Sequence, residues 1–263
     1  MTEITPLDTA HAAMEAAPAD DAARLGFYAR LADGELFLLL TTEPAGDKID
    51  PETFEIADGT FVLAFDREER LAQFVGRTAP YVAMPGRVLA GMLAGQGIGL
   101  GVNLDVAPSA TLLPPEAMAW LADTVANAPS EVEARIAAVI PPRGLPESLV
   151  TALDTKLATA GGLAKCAYLA GVEYDSGAKG HMLAFVDAVE AARPALAGAV
   201  GEALTFSGIE AGMLDVGFFA ATDPMAASLA RAGLRFDLPE PERPSPRTPS
   251  APGSDPSKPP ILR

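Results

Sequence analysis

The chain has 263 residues, of which 49% are hydrophobic, and its formal net charge is −16. This length is sufficient for one large domain or two ordinary domains with packed cores. Because an acidic surface repels phosphate groups, we expect neither nucleic acids nor anionic membrane surfaces as partners.

The sequence contains one cysteine and two histidines. The single cysteine, Cys166, excludes an intramolecular disulfide and a multi-thiolate metal site. The first 21 residues lack the basic and apolar regions of a signal peptide, and glycine, proline or arginine interrupts the longest apolar stretches. We therefore expect a cytoplasmic protein without a membrane span, a metal or a cofactor.

Local signals in the first half predict alternating helices and strands. Thr5 and Pro6 begin a helix to about residue 16, and a second helix runs from Asp20 to Gly34. Asp66 is expected to cap a further helix at 67–75. Strands are expected at 35–40, 53–56, 61–65, 79–83, 97–103 and 109–113, with more helices at 86–95 and from 114, and a hairpin turn at 58–59.

Proline-rich segments divide the chain into predicted units. Residues 1–127 form an N-terminal domain, 128–144 a linker that contains a short helix or strand, and 145–238 a C-terminal domain. The second domain should contain a hairpin around residues 175–177, helices at 146–159 and 194–204, and a strand at 214–220. The fold class is α+β, with a small mixed sheet and hairpin covered by helices in each domain.

The final segment, 239–263, has a different composition from the domains. Nine of its residues are proline, and apolar side chains are nearly absent before Ile261. Such a segment cannot bury enough apolar surface to offset the entropy lost on ordering, so a disordered tail with polyproline II character is expected.

A Leu-Ala-Phe sequence occurs in a predicted strand of each half, at 63–65 and 183–185. Both strands precede an aspartate and a helix. Internal duplication would explain the similarity, but so would the common composition of short buried strands, since no fixed repeat period is visible.

The glycines between residues 95 and 101 resemble a phosphate-binding loop at first sight. They follow a helix and lie within a predicted strand, whereas a dinucleotide loop lies between a strand and a helix N-terminus. We therefore expect turn formation at Gly95 and Gly97, and close packing or a bulge at Gly99 and Gly101.

Catalytic residues are difficult to assign. His11 lies on the first predicted helix, His181 begins a strand, and Cys166 lies in an apolar strand. A free cysteine in such a strand is typically a small buried hydrophobe, although a distant His181 could in principle activate it.

The first half contains the segments DGTFVLAFDREERL (58–71), YVAMPGRVLAGML (81–93) and GQGIGLGVNLDVAPSATLLPPEAMAWL (95–121), and the second half contains RGLPESLVTALD (143–154) and LDVGFFAATDP (214–224). The first three together resemble the N-terminal domain of the SseB family, the bacterial "enhanced serine sensitivity" proteins, and the last two resemble its C-terminal domain. The resemblance implies a cytoplasmic protein and no catalytic residues to carry over.

These observations favour a non-enzymatic binding or regulatory module with a protein or small-molecule partner. The candidate surface comprises Arg87, Gly97, Gly99, Gly101 and Asn103, where glycine backbone and two polar side chains could contact a ligand. Alternatively, the two polar side chains only satisfy turns and helix ends. An enzyme of serine-related metabolism and a homodimeric scaffold remain the competing hypotheses.

Overall fold

The computed structural model describes residues 3–44, 46, 48–56, 59–126, 135–208 and 214–239. The predicted tail, apart from Pro239, and the predicted turn residue Asp58 lie outside these ranges. Helices within them are α1 (Pro6–Ala16), α2 (Asp21–Asp33), α3 (Glu68–Val75), α4 (Gly86–Leu93), α5 (Pro115–Ala126), α6 (Glu147–Ala158), α7 (Arg193–Phe206) and α8 (Pro224–Ala232). Strands are β1 (Glu35–Leu39), β2 (Thr53–Ile56), β3 (Gly59–Phe65), β4 (Tyr81–Pro85), β5 (Ile98–Val102), β6 (Thr111–Leu113), β7 (Ile136–Ile140), β8 (Cys166–Tyr174), β9 (Lys179–Val186), β10 (Leu214–Phe219) and β11 (Leu234–Asp237).

Two mixed sheets confirm the predicted α+β class. The first sheet has the order β4-β1-β3-β5-β6, and the short strand β2 also pairs with β3. Its β3 and β5 strands run parallel, with Leu63 opposite Gly101, while its other pairs are antiparallel.

The second sheet has the order β10-β9-β8-β11. Strands β8 and β9 form the predicted antiparallel hairpin, and β10 runs parallel to β9. Strand β7 lies within the segment 128–144 and pairs antiparallel with β8, so this segment contributes directly to the second sheet.

Helices cover both faces of each sheet. One face of the first sheet packs against α1, α2, α4 and α5, and α3 covers the other face. In the second sheet α6 and α7 cover one face and α8 covers the other. Phe206, at the end of α7, is buried in the core of the first sheet, so the helical layers of the two halves contact each other.

Most predicted helix ends are confirmed. The hydroxyl of Thr5 and the carboxylate of Asp8 form a reciprocal capping box at the start of α1, and Asp20 caps α2. The prediction that Asp66 caps α3 is wrong. Arg67 occupies the cap position without a side-chain cap bond, because the Asp66 carboxylate instead accepts hydrogen bonds from other side chains.

Candidate functional site

A buried arginine joins α1 to α3. The Arg70 side chain is 1% exposed, and its guanidinium donates to Asp66 at 2.8 Å and to the two carboxylate oxygens of Asp8 at 3.1 and 2.5 Å. It also donates to the carbonyl of Glu3 at 3.2 Å. A buried charge is tolerated when partners of opposite sign compensate it, as Asp8 and Asp66 do here, while the buried Nε of Arg70 has no hydrogen-bond partner among the described residues.

Three polar side chains extend this buried network. Asn103 accepts a hydrogen bond from the Asp66 amide at 3.0 Å and donates to the hydroxyl of Ser109 at 2.9 Å. Ser109 donates in turn to Asp8 at 2.6 Å, while Thr5 donates to Asp66 at 2.6 Å. The network therefore connects the start of α1, the start of α3 and the loop that follows β5.

The electrostatics of Asp8 follow from these contacts. Burial alone would raise the pKa of its carboxyl group. Hydrogen bonds from Arg70, Ser109 and the Thr5 amide, together with the Arg70 charge, outweigh burial and hold the pKa of Asp8 well below its usual range. Asp8 is therefore a permanently ionised structural carboxylate at neutral pH, which is unsuited to proton transfer.

A cleft of about 560 Å³ lies next to the network, a volume within the range of ligand sites. Thr5 and Asp66 belong to both the network and the cleft wall. The ends of α1, α2 and α3, the strand β1 and one side of α6 form its walls. The lining residues are Thr5, Pro6, Leu7, Arg30, Asp33, Gly34, Glu35, Leu36, Phe37, Asp66, Arg67, Glu68, Glu69, Thr155 and Thr159.

Carboxylates outnumber cationic groups in this lining by five to two. Arg67 contacts the Glu3 carboxylate at 3.3 Å, which partly neutralises it. Glu35 and Glu69 are exposed on the rim, and neither forms a salt bridge with another residue of the described ranges. The rim therefore carries negative charge that a cationic ligand could neutralise.

Four charged side chains form an ion cluster where the two halves meet. Lys156 on α6 contacts Asp33 at 2.7 Å and Glu202 at 2.6 Å, and Arg87 on α4 contacts Asp33 at 2.5 Å and Glu202 at 2.8 Å. The Lys156 ammonium also lies 5.7 Å from the centre of the Phe206 ring. Asp33 belongs to both this ion cluster and the cleft, so one wall of the cleft is held by contacts between the halves.

The predicted surface residues fall into different environments. Arg87 belongs to the ion cluster, and Gly97 lies in an exposed turn with φ +70°. Gly99 and Gly101 are buried on β5, and Asn103 is fully buried in the network. The structure thus places Gly99 and Gly101 on β5, Gly97 in the turn before it and Asn103 directly after it, and it places Arg87 in the separate ion cluster. The role of these residues as a binding surface stays a prediction.

Close packing at the β5 glycines is confirmed. A Cβ atom on Gly99 would lie 2.5 Å from the Phe61 ring and 2.6 Å from the Leu113 carbonyl, and one on Gly101 would lie 2.6 Å from Leu63. The predicted turn glycines, Gly95 and Gly97, both have positive φ and open space around them.

The thiol and imidazole groups do not form a catalytic pair. Cys166 lies opposite Val186, and His181 lies opposite Gly171, so the two are five positions apart along the hairpin. At about 3.4 Å per residue this separation is about 17 Å. His181 contacts the carbonyl of Arg143 at 3.0 Å, while His11 packs edge-on against Phe27. This separation excludes an enzyme mechanism in which His181 activates the Cys166 thiol.

The sequence analysis did not identify Arg70 in the buried network or Lys156 in the ion cluster. The spacing of Asp66 and Arg70, four residues apart with opposite charges, was a visible local signal. The contact from Arg70 to Asp8 spans 62 residues, and that from Lys156 to Asp33 spans 123. No local pattern identifies such pairs.

Comparisons with known proteins address the first half of the chain. Residues 10–120 match the family model described as SseB protein N-terminal domain. No curated protein and no solved structure shows significant similarity to the chain. In the ranges that the structure describes, no helix has the length and apolar character to cross a membrane, and no three metal-ligating side chains are clustered. The matched range contains the predicted strand, the hairpin and the start of the Pro-Glu helix in their expected order, so this part of the chain, 10–120, is similar to the SseB protein N-terminal domain.

Proposed function

We propose that this protein is a non-enzymatic binding module and that its cleft holds a cationic segment of a partner protein. The observation that carries the proposal is the ligand-sized cleft with exposed Glu35 and Glu69 on its rim. An arginine-containing segment would present planar guanidinium groups, which match carboxylates in shape and charge.

The state of the cleft carboxylates favours binding over acid–base chemistry. Asp66 is held by Arg70 and Thr5, and Asp33 is held by Arg87 and Lys156. A general acid or base needs a pKa near the working pH and access to the proton that it transfers. Carboxylates fixed in ion pairs are better suited to shaping and charging a site.

The wider proposal places the protein in the bacterial cytoplasm and treats 145–238 as the family's C-terminal domain. The motifs at 143–154 and 214–224 support the second point, and the second sheet has its own core. The net charge of −16 supports a basic protein segment as partner over nucleic acid or an anionic membrane. The suggested homodimer would be tested by light scattering.

The experiment is a titration of the full chain with a fluorescent peptide, acetyl-Arg-Ser-Gly-Ser-Arg-amide, followed by anisotropy. The double substitution Glu35→Lys with Glu69→Lys should weaken binding at least about tenfold, because two attractive contacts become repulsive. Added salt should weaken binding to the unsubstituted chain, since the rim is exposed.

A control variant distinguishes the effect of the rim carboxylates on peptide binding from the effect of the total charge. Glu15→Lys with Asp123→Lys changes two exposed helical acids outside the cleft lining and alters the net charge equally. This control should bind the peptide nearly as well as the unsubstituted chain. Equal loss in both variants, or equal binding of the corresponding glutamate peptide, would refute the proposed function.

A further inference from the structure

Strand β10 forms an edge of the second sheet. It pairs with β9 on one side, and no other strand of the described ranges pairs with it on the other side. Its residues 216–219 are only half-buried. The N–H and C=O groups of such an edge that are not bonded within the sheet can pair with a further strand, so proteins either protect an edge or use it for binding.

The other edge strands of the described ranges carry features that oppose pairing. In the first sheet β6 has only three residues, β4 ends at Pro85 and β2 exposes Glu55. In the second sheet the register of β7 is irregular, and β11 exposes the charged side chains of Arg235 and Asp237. Short strands, proline, charged side chains and bulges are devices that natural proteins use against edge pairing.

Strand β10 lacks each of these protective features. It has six residues without proline or a basic side chain, and its register with β9 is continuous from Leu214 to Phe219. Its one charged residue, Asp215, accepts a hydrogen bond from the Tyr174 hydroxyl. The edge is therefore long, regular and almost uncharged, in a chain whose net charge is −16.

We propose that β10 pairs antiparallel with β10 of a second copy of this chain, about a twofold axis at Gly217. Directly opposed residues of an antiparallel pair point to the same face, so the axis must relate one residue to its own copy. A twofold pairing protects the edge of both copies at once. The inference assigns a surface to the homodimer suggested above and does not depend on ligand binding in the cleft.

Charge and packing favour Gly217 over Val216 as the centre of this pairing. An axis at Val216 would place the two Asp215 residues about 7 Å apart along the strands, whereas an axis at Gly217 places them about 14 Å apart. The larger separation exceeds the Debye length of about 10 Å at 0.1 M salt, so the repulsion is largely screened.

The axis at Gly217 also produces a favourable cross-strand pair. Val216 then lies opposite Phe218 of the second copy, and symmetry repeats this pair. Both residues are on the face that packs against α6 and α7, where each is only partly covered by its own chain. Pairs of a β-branched and an aromatic side chain stabilise antiparallel strands.

The size and charge of this interface determine how the dimer should behave. The pairing opposes residues 215–219, far fewer than the roughly 20–30 residues on each side of a standard interface, so we expect a dimer with a Kd in the μM to mM range. Each copy carries a net charge of −16, so added salt should strengthen the dimer by screening repulsion. Binding of the cationic peptide in the cleft should respond to salt in the opposite direction.

Sedimentation equilibrium of the full chain, from about 10 μM to about 1 mM, measures the association. Val216→Lys should weaken the dimer at least about tenfold, because it places an ammonium group against Phe218 at both symmetric positions. Ala83→Lys is the matched control. It lies on the edge strand β4, is exposed and changes the net charge equally, so the dimer Kd should match that of the unsubstituted chain.

A spin label at Ala220→Cys measures the register without altering β10. Ala220 follows β10 directly and is exposed, whereas the native Cys166 is only 4% exposed. An axis at Gly217 places the two labelled positions about 20 Å apart along the strands, and an axis at Val216 places them about 27 Å apart. Double electron–electron resonance should show the shorter distance, and dilution with unlabelled chain should remove it.

The outcomes separate this inference from the proposed function. A monomer throughout the concentration range overturns the inference, as does equal dimerisation of the Val216→Lys and Ala83→Lys chains. A dimer without the expected distance between labels overturns it even if Val216→Lys fails to fold. The Glu35→Lys, Glu69→Lys chain should still dimerise. Absence of the dimer therefore leaves the cleft proposal intact, and failure of the peptide to bind leaves the dimer intact.

Discussion

Replacing Arg70 with methionine removes a cation that faces two buried carboxylates. Methionine preserves much of the apolar stem, so the substitution primarily deletes the guanidinium and its four hydrogen bonds. Asp8 would remain 2% exposed without its cationic partner. Breaking a buried ion pair from one side typically costs 3–5 kcal/mol, so we expect a loss of about 4 kcal/mol in the free energy of unfolding.

Urea unfolding followed by circular dichroism measures this loss through linear extrapolation to zero denaturant. The double variant Asp8→Asn with Arg70→Met should recover about 2 kcal/mol relative to Arg70→Met, because no charged Asp8 then remains unpaired. Arg24→Met is the matched control. Its salt bridge to Asp21 is exposed, at 53% and 75% of the two side chains, and should contribute less than about 1 kcal/mol.

Two results would contradict this reasoning. A loss below about 1 kcal/mol for Arg70→Met would show that the network contributes no more than a surface pair. An equal penalty for Arg70→Met in the native and Asp8→Asn backgrounds would show that the two side chains are not energetically coupled, despite their 2.5 Å contact.

Further predictions concern other parts of the structure. Lys156→Met, in the ion cluster, should lower the free energy of unfolding by about 1–3 kcal/mol, whereas Lys179→Met, at an exposed pair, should change it by less than about 0.5 kcal/mol in the same urea titration. Gly99→Ala should cost about 1–3 kcal/mol through overpacking, and Gly91→Ala, with open space on α4, should stabilise by about 0.5–1 kcal/mol; equal effects in thermal melts would refute the packing argument. The depressed pKa of Asp8 adds stability above its ordinary pKa of 3.8, and this stability is lost as pH falls toward the folded-state pKa. The free energy of unfolding should therefore fall more steeply below about pH 4 in the native chain than in Asp8→Asn, and parallel pH profiles would contradict this.

The helix ends and most strands could be predicted because their signals are local. Thr5 and Pro6 fix the start of α1 through a cap and a preset φ, and Gly76 ends α3 in a left-handed conformation. The Asp66 cap illustrates the limit of local reasoning. An aspartate directly before a helix gives the same local sequence signal whether it caps the helix or forms a buried salt bridge. The position of the Arg70 side chain determines that Asp66 forms the salt bridge.

The candidate site was less predictable than the fold. The strand that carries Gly99 was identified, but its parallel pairing with β3 required knowledge of the whole sheet, as did the burial of Asn103 directly after it. Likewise, the cleft combines residues of the first half with Thr155 and Thr159 from the second half, a combination that no local pattern predicts. Hydrophobic periodicity defines which face of an element is buried, but it does not identify the neighbour that covers that face.

The two Leu-Ala-Phe segments occupy equivalent places in the two sheets. Each lies in a central strand, β3 or β9, with an antiparallel neighbour on one side and a parallel neighbour on the other. The strands that flank these central pairs, however, follow one another in opposite chain order. In the first half β4, which pairs antiparallel with β1, precedes β5, which pairs parallel with β3. In the second half β10, which pairs parallel with β9, precedes β11, which pairs antiparallel with β8. Tandem duplication would preserve this order. The shared residues are therefore better explained by the common demand of a strand buried on both faces, since alanine and phenylalanine at 64–65 and 184–185 are all fully buried.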